Sequence, residues 1–280
     1  PTNLTSKSFI NGTILSNRVY NIDKDELYYS IDKAVGEADA GDVIEIWDGI
    51  YKENVAITQR VTLLGSGTGR VIIDGRNRDS AIRIDGSSAS STIIKNLQVN
   101  SASKSTSYCG SNSIAGIVVY NTNSITVDNV YFYDSYNGYM ASSSHSSIVK
   151  NSVFNYSSSD DKGYYAINLA CNYNNDQNDA GLIKNNEIKN YYNGIYLYYN
   201  YRGIKIHDNK VSDSSYGIYM YYAAHSNHHS ETDPFEIIGN EFYRNNYGVE
   251  KSDSSSTYGR YVLFKDNEIK GCLLYTSPSP

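Results

Sequence analysis

A six-residue phrase, apolar-x-x-Asn-x-apolar, recurs down the second half of the 280-residue chain and restricts it to a repeat architecture. It reads Ile148/Asn151/Val153, Ile183/Asn186/Ile188, Ile206/Asn209/Val211, Ile237/Asn240/Phe242 and Phe264/Asn267/Ile269, with an acid in the polar slot of an earlier copy, Ile125/Asp128/Val130. The steps from Asp128 to Asn267 are 23, 35, 23, 31 and 27 residues, a unit of about 23 carrying insertions of variable length.

A second phrase keeps step with the first. Gly194-Ile195-Tyr196-Leu197, Gly217-Ile218-Tyr219-Met220 and Gly248-Val249-Glu250 each begin eight residues after a polar-slot Asn, and Ala166-Ile167-Asn168-Leu169 is a variant. Each unit therefore holds a Gly-led strand, a connection, a short strand ending near Asn, a tight turn and a third short apolar segment, which is one coil of a parallel β-helix. The strands are too short and too regularly spaced for hairpins, and no Asn-Gly turn signal recurs between them. Alternation of Ile, Val and Leu with polar residues turns one side of each strand into a shared core. Asn suits the turn because it tolerates the left-handed conformation. Stacked coils bring Asp128, Asn151, Asn186, Asn209, Asn240 and Asn267 into a ladder, each bond contributing about 1 kcal/mol.

Composition excludes several classes. A net charge of −6 and the lack of any Lys/Arg run argue against a nucleic-acid partner, and no stretch is apolar enough to span a membrane. Four prolines and 29 tyrosines fit a β-rich chain with polar turns.

Upstream, Leu27, Ile31, Ala34, Val35 and Ala38 stand at helical spacing, with Asp23 or Asp25 available as a cap. A helix over 27–38 is expected to cover the open end of the first coil. The run from Ala38 to Ile57, A-x-x-G-D-x-I-x-I-x-x-G-x-Y-x-E-x-V-x-I, followed by Leu63-Leu64-Gly65 and Ile73-Asp74-Gly75, resembles the opening of pectin-lyase-like right-handed β-helix proteins. The later Gly-Ile and Ile-x-x-Asn-x-Ile units resemble repeats of carbohydrate-binding proteins and sugar hydrolases in that superfamily. The resemblance implies an all-β, single-stranded right-handed parallel β-helix over 27–271, after a lead-in at 1–26. It implies little about activity, since the superfamily hosts lyases, hydrolases, esterases, adhesins and surface proteins. The Asn-Thr-Asp, Asp-Asp, Gly-His-Gly and Arg-Ile-Lys set of polygalacturonase-like hydrolases is absent, as is the Arg-Pro-Trp constellation of pectin methylesterases, so no catalytic residue carries over. Residues 272–280 break every periodicity and resemble a translated sequencing adapter, as expected of an environmental fragment. Pro1 is not a start methionine, so the lack of a signal peptide carries no information on secretion.

Function is sought where insertions interrupt the repeats. One family of insertions, 100–114 and 155–164, lies between the Asn turn and the next Gly strand. The other, 170–181, 221–236 and 250–261, follows the Gly strand. Members of one family leave the same corner and stack into a wall. Cys109 and Cys171 both sit in insertions, and either a bridge between neighbouring coils or two free thiols is open. On the Gly-strand sheet, alternation puts Tyr196 and Tyr219 outward, with Asn168 and Glu250 in the flanking slots and Tyr198 and Tyr221 at the adjoining corner. Such a surface suits a sugar chain, with aromatic faces for C–H stacking and polar groups for hydroxyls; tyrosines chosen only as strand formers are the alternative. His225, His228, His229, Glu231 and Asp233 are metal-type residues within nine positions, for Ca2+ or another divalent ion, although no cofactor is required and a solvated loop is the default. Asp160, Asp161 and Lys162 are the candidates for sugar-cleaving chemistry, which needs paired carboxylates or a base with a cation.

The reading favoured by these residues is a secreted or cell-surface β-helix that binds polysaccharide or glycan, as part of a longer adhesin or envelope protein. A polysaccharide lyase or glycoside hydrolase and a structural spacer are the alternatives.

Overall fold

The computed structural model describes residues 18–75, 79–100, 104–105, 107, 109–158, 161–172, 181–200, 203–223, 234–252 and 261–272. Two short strands open it, β1 (Val19–Asn21) and β2 (Glu26–Tyr28), paired antiparallel. Helix α1 (Ile31–Gly36) follows. Then the coils begin: β3 (Val43–Ile46), β4 (Gly49–Tyr51) and β5 (Val55–Ile57), next β6 (Thr62–Gly65), β7 (Val71–Asp74) and β8 (Ile82–Asp85). In the third and fourth coils two short strands merge into one, giving β9 (Ile93–Asn100) with β10 (Ile117–Tyr120), and β11 (Thr126–Tyr133) with β12 (Asn137–Ser142). Three-strand coils resume with β13 (Ile148–Lys150), β14 (Val153–Asn155) and β15 (Gly163–Asn172), and with β16 (Leu182–Lys184), β17 (Glu187–Lys189) and β18 (Tyr191–Asn200). The last are β19 (Lys205–His207), β20 (Lys210–Ser212) and β21 (Tyr216–Tyr221), β22 (Phe235–Ile238), β23 (Glu241–Tyr243) and β24 (Tyr247–Lys251), then β25 (Val262–Lys265) and β26 (Glu268–Lys270).

From β3 onward each strand pairs in parallel with its counterpart one coil away, so the molecule is a right-handed parallel β-helix. One face is the eight-stranded sheet β5-β8-β10-β12-β15-β18-β21-β24. Inward residues fall in columns: Val127, Val149, Ile183, Ile206 and Ile237 along one face, and Ile167, Ile195 and Ile218 along another, nearly all with no exposed surface. Phe132 and Phe154 stack at 4.3 Å between coils. The Gly that opens each Gly strand makes room for this filling: a methyl on Gly138 would lie 2.5 Å from the Ala166 carbonyl oxygen and 2.6 Å from the Phe154 ring.

The structure shifts the polar column by two residues at Asp128 and by one at Asn151. Val149, not Ile148, pairs with Ile183. The inner turn slot therefore holds Val130, Ser152, Asn186, Asn209, Asn240 and Asn267. Asn186 Nδ2 donates to Asn209 Oδ1, Asn209 Nδ2 to Asn240 Oδ1, and Asn240 Nδ2 to Asn267 Oδ1, each at 2.9 Å. Ser152 replaces the amide one coil earlier, its N–H donating to Asn186 Oδ1 at 3.0 Å. Asn151 and Asp128 stand outside this inner row, on the exposed side of the turn, where Asn151 Nδ2 donates to Asp128 Oδ1 at 2.8 Å. The left-handed conformation also belongs to the outer row, at Asn129, Asn151, Asn185, Asp208, Gly239 and Asp266, and not to the inner amides. Asn serves both rows for different reasons: a tolerated positive φ outside and a donor–acceptor pair inside.

Helix α1 is shorter than expected and starts later. Leu27 lies in β2 and is 58% exposed, because 26–28 pairs with β1, which also runs antiparallel to β3. Ordered structure thus extends into the segment expected as a lead-in. Ser30, not Asp23 or Asp25, is the N-cap, and the Glu53 carboxylate accepts from Ser30 Oγ, Ile31 N and Asp32 N at 2.7–3.1 Å. Ile31, Ala34 and Val35 are buried against β1, β2, β3 and β5.

Candidate functional site

On the outward side of the eight-stranded sheet, parallel register sets side chains in columns. One runs Arg83, Val118, Met140, Asn168, Tyr196, Tyr219, Glu250. A second runs Asn137, Tyr165, Asn193, Tyr216, Tyr247, and a third Ser142, Ala170, Tyr198, Tyr221. The expected residues thus do share one face, but they are not equally accessible. Asn168 is 0% and Tyr196 8% exposed. Together with Ala115, Val118, Met140 and Tyr165, Tyr196 forms a small second core outside the rod, against which Tyr164, Tyr198, Tyr219 and Tyr221 pack.

That outer core is covered partly by a strap built from the first insertion. Arg83 donates to the Ser111 and Ser113 carbonyls at 2.9 and 3.0 Å, Asn137 Nδ2 to the Ser105 and Ile114 carbonyls at 2.7 and 2.9 Å, and Gly110 N to Ser142 Oγ at 3.0 Å. Cys109 and Cys171 form a disulfide with Cα atoms 6.1 Å apart. It spans from the segment before β10 to the end of β15, passing over the coil of β12. The two insertions of the first family touch: Lys104 Nζ lies 2.9 Å from Asp161 Oδ2 and 5.3 Å from the Tyr136 ring centroid. Asn190 Nδ2 holds the second insertion by donating to the Tyr156 and Ser158 carbonyls at 2.8 and 2.6 Å.

Beside this wall the tyrosines form one continuous array. Tyr196 stacks on Tyr165 at 4.9 Å and on Tyr219 at 5.6 Å; Tyr216 stacks on Tyr219 at 4.8 Å and on Tyr247 at 5.0 Å; Tyr198 lies parallel to Tyr221 at 5.5 Å. Along the wall, Tyr136, Tyr164 and Tyr192 stack at 6.0 and 5.6 Å. Tyr192 is 43% exposed, and Tyr198, Tyr216, Tyr219, Tyr221 and Tyr247 are half-buried, so these rings form the accessible surface around the buried Tyr196. Tyr192, Tyr216 and Tyr247 escape the Gly-strand phrase because they precede it. Their sequence signal is the aromatic residue just before Gly in Tyr216-Gly217 and Tyr247-Gly248.

The charged groups have distinct settings. The hydrogen bond from Lys104 holds the Asp161 carboxyl below its ordinary range, the state of a paired surface carboxylate. Burial pushes the Lys162 ammonium pKa down. Burial raises the Glu250 carboxyl pKa, as expected of an acid resting on an aromatic surface. Burial also raises the Tyr216 phenol pKa, and Tyr221 is raised chiefly by its hydrogen bond with Tyr222. Asp160 and the metal-type residues His225, His228, His229, Glu231 and Asp233 lie outside the described residues. Among the described residues no three His, Cys, Asp or Glu side chains are grouped to hold a metal ion. Among the described residues no helix is long and apolar enough to cross a membrane.

No curated protein matches the chain. Among solved structures, the catalytic domain of a GH87 α-1,3-glucanase in complex with nigerose superimposes with a TM-score of 0.52 at 14% identity, over 87% of this chain and 43% of that one. The Streptococcus pneumoniae surface protein and adhesin PfbA gives 0.46 at 15% identity, over 85% and 77%. An alginate lyase from Paenibacillus gives 0.44 at 14% identity, over 88% and 95%. The chain spans less than half the length of the glucanase domain it matches, and at these identities the likeness is one of fold. The family model for the right handed beta helix region matches residues 49–233 and 115–279, and the chain belongs to that family.

Proposed function

We propose that the chain binds polysaccharide along the outward face of its eight-stranded sheet. The observation that carries this reading is the continuous tyrosine array across β15, β18, β21 and β24, with half-exposed rings around a buried centre. Successive coils are spaced by about 4.8 Å, close to the length of one pyranose unit, so an extended chain lying along the rod meets a ring at each step. Phenol hydroxyls offer hydrogen bonds at the edge of each apolar face. Contiguous aromatic surface of this kind on a rigid scaffold is the usual mark of a binding site. A place outside the cell or on its surface, within a longer adhesin or envelope protein, accompanies this reading; recovery of the full gene with its targeting and neighbouring segments tests it.

Retention on immobilised polysaccharides is the direct test. Tyr219→Ala combined with Tyr192→Ala should weaken retention at least tenfold with unchanged circular dichroism, since both rings are partly exposed. Unchanged retention would leave the tyrosines as strand formers only. Tyr196→Ala is the wrong probe, because it opens a cavity in the outer core.

Cleavage at the same face is a second reading, favoured by one observation: Glu250 is the one carboxylate among the described outward residues of β12, β15, β18, β21 and β24, in register with Tyr219, and burial moves its pKa in the direction a general acid needs. Release of reducing ends that disappears in Glu250→Gln would establish it.

A further inference from the structure

We propose that the tyrosine face selects uncharged polysaccharides and discriminates against polyuronates, an inference that rests on the binding role given above. Among the described residues, the outward columns of β12, β15, β18, β21 and β24 carry a single charged side chain, and it is the acid Glu250. Around it stand Tyr216, Tyr219 and Tyr247: Tyr219 is its parallel partner one coil away, and Tyr247 precedes it in β24. The phenols are neutral acceptors and donors whose pKa values move up, away from ionisation, at Tyr216 and Tyr221.

Three described cations bordering the face are held by partners of their own. Arg83 spends its guanidinium on two strap carbonyls, Lys104 lies in its ion pair with Asp161 over the Tyr136 ring, and Arg244 is bidentate on Asp213 at 2.8 and 2.9 Å. Lys162, half-buried just before β15, and Lys251, at the end of β24 in register with the inward Met220, stand at the margins and not in the outward columns. A chain with a carboxylate on every sugar would therefore meet one negative group and no guanidinium or ammonium among the described outward residues of β12, β15, β18, β21 and β24, whereas recognition of carboxylates relies on such partners. A neutral chain gives up nothing by stacking there.

The experiment is affinity electrophoresis of the purified chain in gels holding a neutral glucan, mannan or xylan, against polygalacturonate and alginate, at low and at high salt. At least one neutral chain should retard the protein ten times more strongly than either polyuronate. Glu250→Lys should narrow that ratio about tenfold at low salt and less at high salt, the behaviour of one charge at close range. Polyuronate binding that equals or exceeds neutral binding, yet falls in Tyr219→Ala, overturns the selectivity and leaves the platform standing. No retardation by any chain, or retardation indifferent to Tyr219→Ala, overturns the platform and the selectivity with it. An unchanged ratio in Glu250→Lys overturns the part assigned to Glu250.

Discussion

Replacing Asn209 with Ala should cost about 4–6 kcal/mol, while Asn151→Gly should cost less than about 1 kcal/mol, although both residues occupy the same slot in the repeating phrase. The Asn209 side chain makes four hydrogen bonds: Nδ2 donates to the Ile183 carbonyl and to Asn240 Oδ1, both at 2.9 Å, and Oδ1 accepts from Asn186 N at 3.0 Å and Asn186 Nδ2 at 2.9 Å. Asn209 is fully buried. Truncation therefore leaves the Asn186 N–H without its acceptor, at about 1–3 kcal/mol, and deletes three further bonds at about 1 kcal/mol each. Asn151 is exposed, donates one bond at 2.8 Å and accepts one at 3.4 Å, and has φ 51°, a conformation Gly adopts freely. Urea denaturation of both variants gives the difference in stability. Amide exchange at Asn186 gives a local readout independent of how cooperatively the rod unfolds. Equal losses in the two variants, or unchanged protection of the Asn186 amide in Asn209→Ala, would refute the two-row account of the turn.

Two further outcomes follow from the strap and the platform. Cys171→Ser should lower stability by about 4 kcal/mol, the loop-closure estimate for the 62-residue separation, and loosen amide protection around Val118 and Met140; a loss confined to the insertion itself would mean that the strap does not brace the outer core. Because the folded state raises the Glu250 pKa, it binds that proton more tightly than the unfolded chain does, and this contribution to stability falls as pH rises from the ordinary Glu value of 4.5 through the raised one. Glu250→Gln should therefore melt at a higher temperature than the parent at pH 7 and at nearly the same temperature below pH 4.5; a gap that persists in acid would contradict the burial account.

The coil and its core were legible because inward positions repeat wherever Ile, Val and Leu alternate with polar residues. The phase of the early coils was not. Ile148 and Val149 are both apolar, so the phrase fits either frame, and the decision falls to Ser152, whose hydroxyl replaces an amide in the inner slot and carries no sequence signature of that role. The outward direction of Tyr196 followed from alternation, but its burial came from Tyr165 and Tyr219 one coil away on either side, which no local pattern reports. The helical spacing from Leu27 was half misleading: 26–28 had a strand partner in β1, and pairing outweighed propensity.

The disulfide also sets how the rod would yield under tension. In a parallel coil the inter-strand hydrogen bonds run along the long axis, so a pull on the two ends loads the coils in series and peels them away one at a time. Cys109 and Cys171 are joined across an intervening coil, so the chain across their 62-residue separation cannot be drawn out while the bond is intact, and about 220 Å of extensible chain is withheld. The tyrosine platform begins at the edge of that locked block, and peeling that starts from the far end would reach β24 and β21 before it reached the strap.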